Sequence, residues 1–469
     1  MVLVAIAMVA IIAIAALSID VITLYLAKEE AQRSADNAAL AAAKIISLSG
    51  LTADPSNGNG NWGKICGPDD GTNGVATRTA KAVAGQDSVG GQIAGTITVT
   101  YAAGSGGTVG AGNADCSTLA STAFGVNPMV TVKVTRASLP NFFSRIWGNP
   151  GSSVSATATA EAFNPSNSAN VGNQSVGTIT PVKPRCIKPW VIPNLDPMYP
   201  ATNCAPGTCQ PLVNTDGSIH HQGMTLGGLG TSGTVGETFW LAPNCIPGNP
   251  GSCSTRIAAT TAVNFPKVGT SPGPPNVLYY PGQVGTPVLA VPTCTSGDQY
   301  EEAIEGCDQP TNYSCGVPNN GNQVDLTRNP TLPTSAGVQC LIRQSDPTAL
   351  TASSGQDYLN TFGAPNSYPF QMLAGSANPV ALSGRAISNS INVVSLPIFD
   401  QTKVDPASGA QTDVTFIGFL QVFINAVDQF GNINVTVLNV AGCGDGSGAP
   451  VGTPVIGNSP VPVRLITPP

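Results

Sequence analysis

Apolar positions run without a charge from Met1 to Ile19. After Asp20 the run resumes through Val21, Ile22, Leu24, Tyr25, Leu26 and Ala27, until Lys28-Glu29-Glu30 closes it. No Pro or Gly occurs before Gly50, so the pattern predicts one continuous helix. At about 1.5 Å per residue, the uncharged run roughly matches a bilayer hydrocarbon core of about 30 Å. From Leu24 to Ile46 strong helix formers dominate. Ala31, Ala35, Ala38, Ala39 and Ala42 recur there at spacings of three and four. They form a small-residue face on which either the protein's own body or a copy of the helix can approach closely.

Beyond Gly50 the period changes. Pro55 to Gly60 reads as a loop, Gly74 to Ala84 as a short helix and Gly104 to Gly112 as a flexible loop. Thr96 to Tyr101, Met129 to Thr135 and Ser152 to Ala162 alternate in the manner of half-buried strands. Asn164 to Gly177 is polar and reads as a linker. From Pro181 to Cys340, Pro and Cys are dense and no helical period is evident. Short strands are expected there around Thr238 to Leu241, Val277 to Tyr280 and Val288 to Val291. A more regular block follows, with Ile391 to Phe399, Val414 to Val427 and Ile433 to Val440 apolar or alternating. The last two should form a hairpin whose turn contains Gly431.

The expected architecture is therefore α+β: a long N-terminal transmembrane and juxtamembrane helix over residues 1–49, an α+β unit over 50–163, a linker at 164–180, a Pro/Gly/Cys-rich β region at 181–345 and a C-terminal β region at 346–469. The 469 residues suffice for two or three domains, each with its own core. Charged residues make up only 10% of the chain, which excludes a charge-driven disordered tail. A net charge of -7 without clustered Lys and Arg speaks against nucleic acid as a partner.

Twelve cysteines stand at Cys66, Cys116, Cys186, Cys204, Cys209, Cys245, Cys253, Cys294, Cys307, Cys315, Cys340 and Cys443, with no Cys-x-x-Cys among them. Zinc ribbons and thioredoxin-like sites need that close spacing, so disulfides in an oxidising compartment are expected. Cys204 with Cys209, and Cys245 with Cys253, are candidate local loops, and Cys66 with Cys116 is a candidate staple of the first domain. The cysteines also decide orientation. Lys28 and Arg33 would by charge alone hold the body in the cytoplasm, whereas twelve pairable thiols put it outside. The absent basic start leads us to expect a few basic residues ahead of Met1. Ala13, Ala15 and Ala16 offer a signal peptidase small residues, which keeps a cleaved export signal as the alternative.

Catalytic chemistry finds little support. His220 and His221 are the two histidines and read as an exposed turn. No Gly-x-Ser-x-Gly elbow, His-Glu-x-x-His helix or phosphate-binding Gly-x-x-x-x-Gly-Lys loop occurs. Asp298, Glu301, Glu302, Glu305 and Asp308 lack the ligand order of a calcium loop and read as a solvated acidic face. No catalytic residue, metal, cofactor or small-molecule substrate is expected. Asp20 is either an interfacial carboxylate or, if the span reaches Leu26, a group needing a partner.

The segments Ala15-Ala16-Leu17-Ser18-Ile19-Asp20, Leu24-Tyr25-Leu26 and Gln32-Arg33-Ser34-Ala35-Asp36-Asn37-Ala38-Ala39-Leu40-Ala41 together resemble the N-terminal signature of Tad/Flp (tight-adherence) pilus-assembly proteins of the TadE/TadG kind. That signature combines an apolar helix carrying an Asp, an aromatic residue a turn later and a Gln-x-x-Ala-Asp-Ala-Ala-Ala-Leu-Ala run. Val130 to Arg136, Phe142 to Gly148 and Val154 to Ala162 are similar to the strand, short helix and strand that close the family's pilin-like region. The Asp-x-Ser-x-Ser metal motif of the von Willebrand factor A domain found in some relatives is absent from the sequence. So are the Gly before the apolar run and the Glu-Tyr pair that prepilin processing would use. The resemblance implies a single-pass, non-enzymatic component of a pilus-assembly or secretion apparatus in the bacterial cytoplasmic (inner) membrane. Asp20, Tyr25, Asp36 and the alanine face would serve anchoring and helix packing, and the partners would be the membrane and other pilus-assembly or envelope proteins. The alternative is an exported or surface-attached adhesin or hydrolase whose N-terminus is only a signal.

Overall fold

The computed structural model describes residues 2–53, 61–71, 73–93, 95–105, 108–110, 112–120, 124–125, 127–141, 143, 148, 151–164, 182–200, 204, 208–215, 217–221, 233–246, 255–256, 275–285, 294, 296–307, 313, 323–348, 355–360, 371–387, 389–402, 411–443, 455–457 and 459–466. The expected strand at Val288 to Val291, most of the 164–180 linker and Phe142 with Ser144 to Trp147 lie outside them.

The chain forms two compact units. The first comprises Met1–Ile46, Gly58–Ala162 and Val463–Pro469. Its helix α1 is continuous over Val2–Leu48, as expected from a run without Pro or Gly. Two short helices, α2 (Asn61–Cys66) and α3 (Val75–Ala84), lead into an antiparallel sheet. Its strands are β1 (Thr96–Ser105), β2 (Thr108–Val109), β3 (Pro128–Leu139) and β4 (Ser152–Ala162). The edge beyond β4 is filled by a C-terminal strand, Val463–Ile466, in register from Val463 opposite Ala162 to Ile466 opposite Thr159. This corrects the expected division, which left residues 463–469 in the C-terminal β region. An open edge beside β4 would present unpaired N–H and C=O groups, and the chain's last strand satisfies them. Cys66 and Cys116 are bonded within this unit.

The second unit comprises Ser47–Asn57 and Phe163–Pro462. Its centre is a closed barrel of β5 (Trp190–Pro193), β6 (Thr238–Pro243), β7 (Asn276–Pro281), β8 (Val393–Phe399), β9 (Phe416–Val427) and β10 (Ile433–Gly442). The order around it is β7-β5-β8-β9-β10-β6, with β6 returning to β7. The β5–β8 and β6–β7 pairs are parallel and the others antiparallel. Two register shifts in the β9–β10 pair add the local bend that closure needs. The expected boundary at 345/346 therefore separates nothing: β5, β6 and β7 precede it, β8, β9 and β10 follow it, and either set alone would leave its sheet edges open.

Within the barrel unit, Ile187, Val191, Tyr280, Phe399, Phe416 and Phe419 belong to one buried cluster. The hairpin between β9 and β10 turns where expected. Asp428 Oδ1 accepts the backbone N–H groups of Phe430 (2.8 Å) and Asn432 (2.9 Å), while Gly431 takes the left-handed φ of 76° that a Cβ would resist. Two helices were not legible in the Pro/Cys-rich region: α4 (Gln299–Glu305) and α5 (Thr331–Ile342). A Cβ on Gly337 of α5 would stand 3.1 Å from Ile304 Cβ, so a residue without a side chain permits the approach of these helices.

Candidate functional site

Up to Leu26, α1 is largely apolar apart from Asp20, and most of its described side chains are exposed. Leu3, Val4, Ile6, Val9, Ile14 and Ile22 are exposed, and Tyr25 is 64% exposed. The segment Ile6–Leu48 contains a window long and apolar enough to cross a membrane. From Ala27 onward the helix differs. Ala31, Ala35, Ala38, Ala39 and Ala42 are fully buried, whereas Glu29, Glu30, Arg33 and Asn37 face outward. The buried side is fixed by polar contacts within its own unit. Lys28 Nζ donates to Ser155 O on β4, Gln32 Nε2 donates to Thr157 O at 3.3 Å, and Ser34 Oγ donates to Ala84 O at 3.4 Å. Glu30 Oε2 accepts the N–H of Gly90 at 2.7 Å. Of the two readings open for the alanine face, the one realised here is packing on the protein's own body.

Asp20 is 4% exposed, and both its carboxylate oxygens approach the backbone N–H of Phe143, at 3.3 and 3.1 Å. A carboxylate within an otherwise apolar helix thus has a donor from its own chain, which lowers the desolvation cost it would otherwise carry. Asp36 Oδ1 accepts from Gln32 Nε2 at 2.8 Å, one turn earlier.

Residues 1–44 match the family described as Putative Flp pilus-assembly TadE/G-like. This segment is a TadE/G-like region. No curated protein and no solved structure matches the chain. The TadE/G-like region ends just before the last turn of α1, so it covers both the exposed apolar half and the buried alanine face, and the rest of both units lies beyond it. The TadE/G-like match and the candidate membrane-spanning window thus fall on the same helix.

The described cysteine side chains are disulfide-bonded. Besides Cys66–Cys116, bonds join Cys186 to Cys307, Cys204 to Cys209 and Cys294 to Cys340. Cys443 is also disulfide-bonded. Cys253, Cys315 and the side chain of Cys245 lie outside the described residues. In the acidic group, Asp298 caps α4 by accepting from Tyr300 N at 2.9 Å, and both its oxygens take Arg328 Nη1 at 2.9 Å. Glu305 is 4% exposed, and burial first, then Glu301 and Glu302, pushes its carboxyl up to about 7. The solvated acidic face expected from sequence is corrected on these two residues. The C-terminal carbonyls of α4 need donors, and Lys188 supplies them, with Nζ 2.6 Å from both Ile304 O and Gly306 O. Burial pulls this ammonium down to about 7, with Glu305 opposing the shift.

A second correction concerns the histidines. His220 and His221 do not form an exposed turn. His220 Nδ1 pairs with Asn214 Oδ1 at 2.8 Å, and the His221 ring stacks on Tyr199 with centroids 3.9 Å apart and planes 24° apart. His221 Nδ1 lies 3.9 Å from both Asp196 Oδ2 and Glu237 Oε1. Asp196 is fully buried and Glu237 is 3% exposed. Burial pushes the Glu237 carboxyl up to about 10, and the charge and hydrogen bonding of Asp196 push it the same way. Sequence reasoning missed this cluster because positions 196, 221 and 237 carry no motif spacing. The adjacent histidines were its only local signal.

Proposed function

We propose that the protein is a single-pass, membrane-anchored, non-enzymatic component of a Tad/Flp-type pilus-assembly or secretion apparatus. The apolar start of α1 anchors it in the bacterial cytoplasmic membrane, and the sheet and barrel units lie outside the cytoplasm for contacts with other envelope proteins. The observation that carries this reading is the division of one TadE/G-like helix into an exposed apolar half and a half buried in its own unit. The largely apolar stretch from Val2 to Leu26 rises about 37 Å as a helix, enough for a hydrocarbon core of about 30 Å. Because the alanine face is already occupied and the opposite face carries Glu29, Glu30 and Arg33, lateral association within the membrane uses the apolar half. The disulfides favour an oxidising side for both units.

Fractionation of cells expressing the full chain tests the anchor. The protein should remain with membranes after an alkaline carbonate wash, and its cysteines should resist alkylation in intact cells until a reductant is added. Release into the wash would instead indicate the exported alternative. Thiols that react without reductant would place the body in the cytosol.

A further inference from the structure

We propose that Asp196, His221 and Glu237 form a site for one divalent transition-metal ion of the zinc class. The three side chains come from separate stretches of the barrel unit, yet one ligand atom of each lies within 4.8 Å of the others. Tetrahedral zinc with bonds of about 2.0–2.1 Å holds its ligands about 3.3 Å apart. The 3.9 Å separations from His221 Nδ1 to the two carboxylates therefore need only a small inward rotation of each side chain.

Unpartnered atoms supply the independent sign of a ligand. Glu237 Oε2 and His221 Nδ1 are both buried without a hydrogen-bond partner, and Glu237 as a whole is 3% exposed. Buried polar atoms in folded proteins are nearly always paired. Two such atoms beside a second carboxylate mark a place suited to a cation. With both carboxyls deprotonated as ligands the set presents a charge of -2, which a divalent ion cancels, so binding would release the Glu237 proton. An imidazole among the ligands selects zinc, manganese, cobalt or iron over calcium and magnesium, which prefer all-oxygen sets.

The surroundings hold the ligands in place. Asp196 Oδ1 accepts Met198 N at 2.9 Å, leaving Oδ2 to face His221. The Tyr199 ring fixes the imidazole plane by stacking. Thr234 binds the His221 carbonyl through its N–H at 3.1 Å and its Oγ1 at 2.9 Å. Glu237 sits at the start of β6 and is tied to β10, its carbonyl accepting Val437 N at 2.9 Å. Such outer contacts orient ligands in established metal sites. The His221 side chain retains 14% exposure, which gives an ion a path in and leaves a position for water. Filling the site would tie Asp196, whose N–H donates to Gln210 O at 2.8 Å, to Glu237 beside β6.

The test uses the full chain in detergent without a polyhistidine tag, stripped with chelator and titrated with Zn²⁺ by calorimetry, with Co²⁺ as a spectroscopic probe. One zinc per chain is expected, together with a visible Co²⁺ absorption band. Glu237→Gln should weaken Zn²⁺ binding at least tenfold and abolish the band without loss of circular-dichroism signal, because the neutral amide suits the metal-free site. If that variant does not fold, His221→Gln serves the same comparison. Absence of zinc binding, binding unchanged in the folded variant, or binding of Ca²⁺ alone would overturn the proposal.

Discussion

The N-terminal unit and the barrel unit fill their interiors by opposite means. Along α1 the buried face is made of alanines, so that backbone comes close to backbone and long polar side chains such as Lys28 and Gln32 reach main-chain carbonyls. In the barrel the fully buried side chains include Trp190, Tyr279, Phe399, Phe416, Phe419 and Phe423, and several disulfides brace the surrounding segments. An interior of small residues has no volume to lose and none to spare, whereas one of large aromatics is sensitive to truncation. The two units should therefore fail under different substitutions.

The largest expected effect belongs to the disulfide linking Cys186 to Cys307. It spans 121 residues, so its loss frees a long loop in the unfolded chain. Replacing both with Ser should destabilise the barrel unit by about 4–5 kcal/mol. Denaturant unfolding followed by amide exchange, which reads the two units separately, should show the sheet unit unaffected.

Next comes Phe419→Ala. Its ring is 1% exposed within the central cluster, and truncation should cost about 3–5 kcal/mol in the barrel. An equal loss of exchange protection in both units would mean that they unfold together and that the contrast between them has no energetic content.

Lys188→Met follows. The substitution keeps much of the aliphatic stem but removes the donors to Ile304 O and Gly306 O, leaving buried carbonyls unsatisfied at a cost of about 2–3 kcal/mol. Preserved stability would show that water reaches the end of α4.

For the sheet unit the decisive change adds volume. Ala38→Leu on the fully buried face of α1 should cost about 1–3 kcal/mol there and leave the barrel unchanged. If stability is unaltered, the face has room to yield and is not closely packed.

What could be read from the chain follows the same division. The helix was legible because its signals are local: an uninterrupted apolar run, then alanines at three- and four-residue spacing. The β9–β10 hairpin was legible because Asp428 and Gly431 sit in the turn itself. The barrel was not, because Ile192 lies opposite Ile398 in a parallel pair and no local pattern encodes a partner 206 positions away. Helix α5 escaped notice because Pro333 and Gly337 interrupt it and both its faces carry apolar or small residues. The Asp196, His221 and Glu237 cluster is an extreme case. Each residue alone reads as an ordinary polar side chain, and only the folded chain brings the three ligand atoms within 4.8 Å of one another.

The smallest effect is expected at Tyr101→Phe, and it tests how the sheet unit places its one large buried phenol. Tyr101 is fully buried, its ring edge-on to Phe124 at 6.4 Å, and its hydroxyl lies 2.8 Å from Thr77 Oγ1. Burial pushes the phenol well above its ordinary range, so it stays neutral. Thr77 Oγ1 also donates to Gly67 O at 3.1 Å, which commits its single hydrogen, so Tyr101 is the donor between the two hydroxyls. Removing the phenol oxygen leaves Thr77 with its own donor satisfied and one acceptor idle, for a loss of about 1 kcal/mol in the sheet unit alone. Thr77→Val should cost more, since it strands both Gly67 O and the Tyr101 hydroxyl. If Tyr101→Phe is the costlier of the two by thermal or denaturant unfolding, the donor assignment is wrong, and the hydroxyl is holding a contact that the threonine is not.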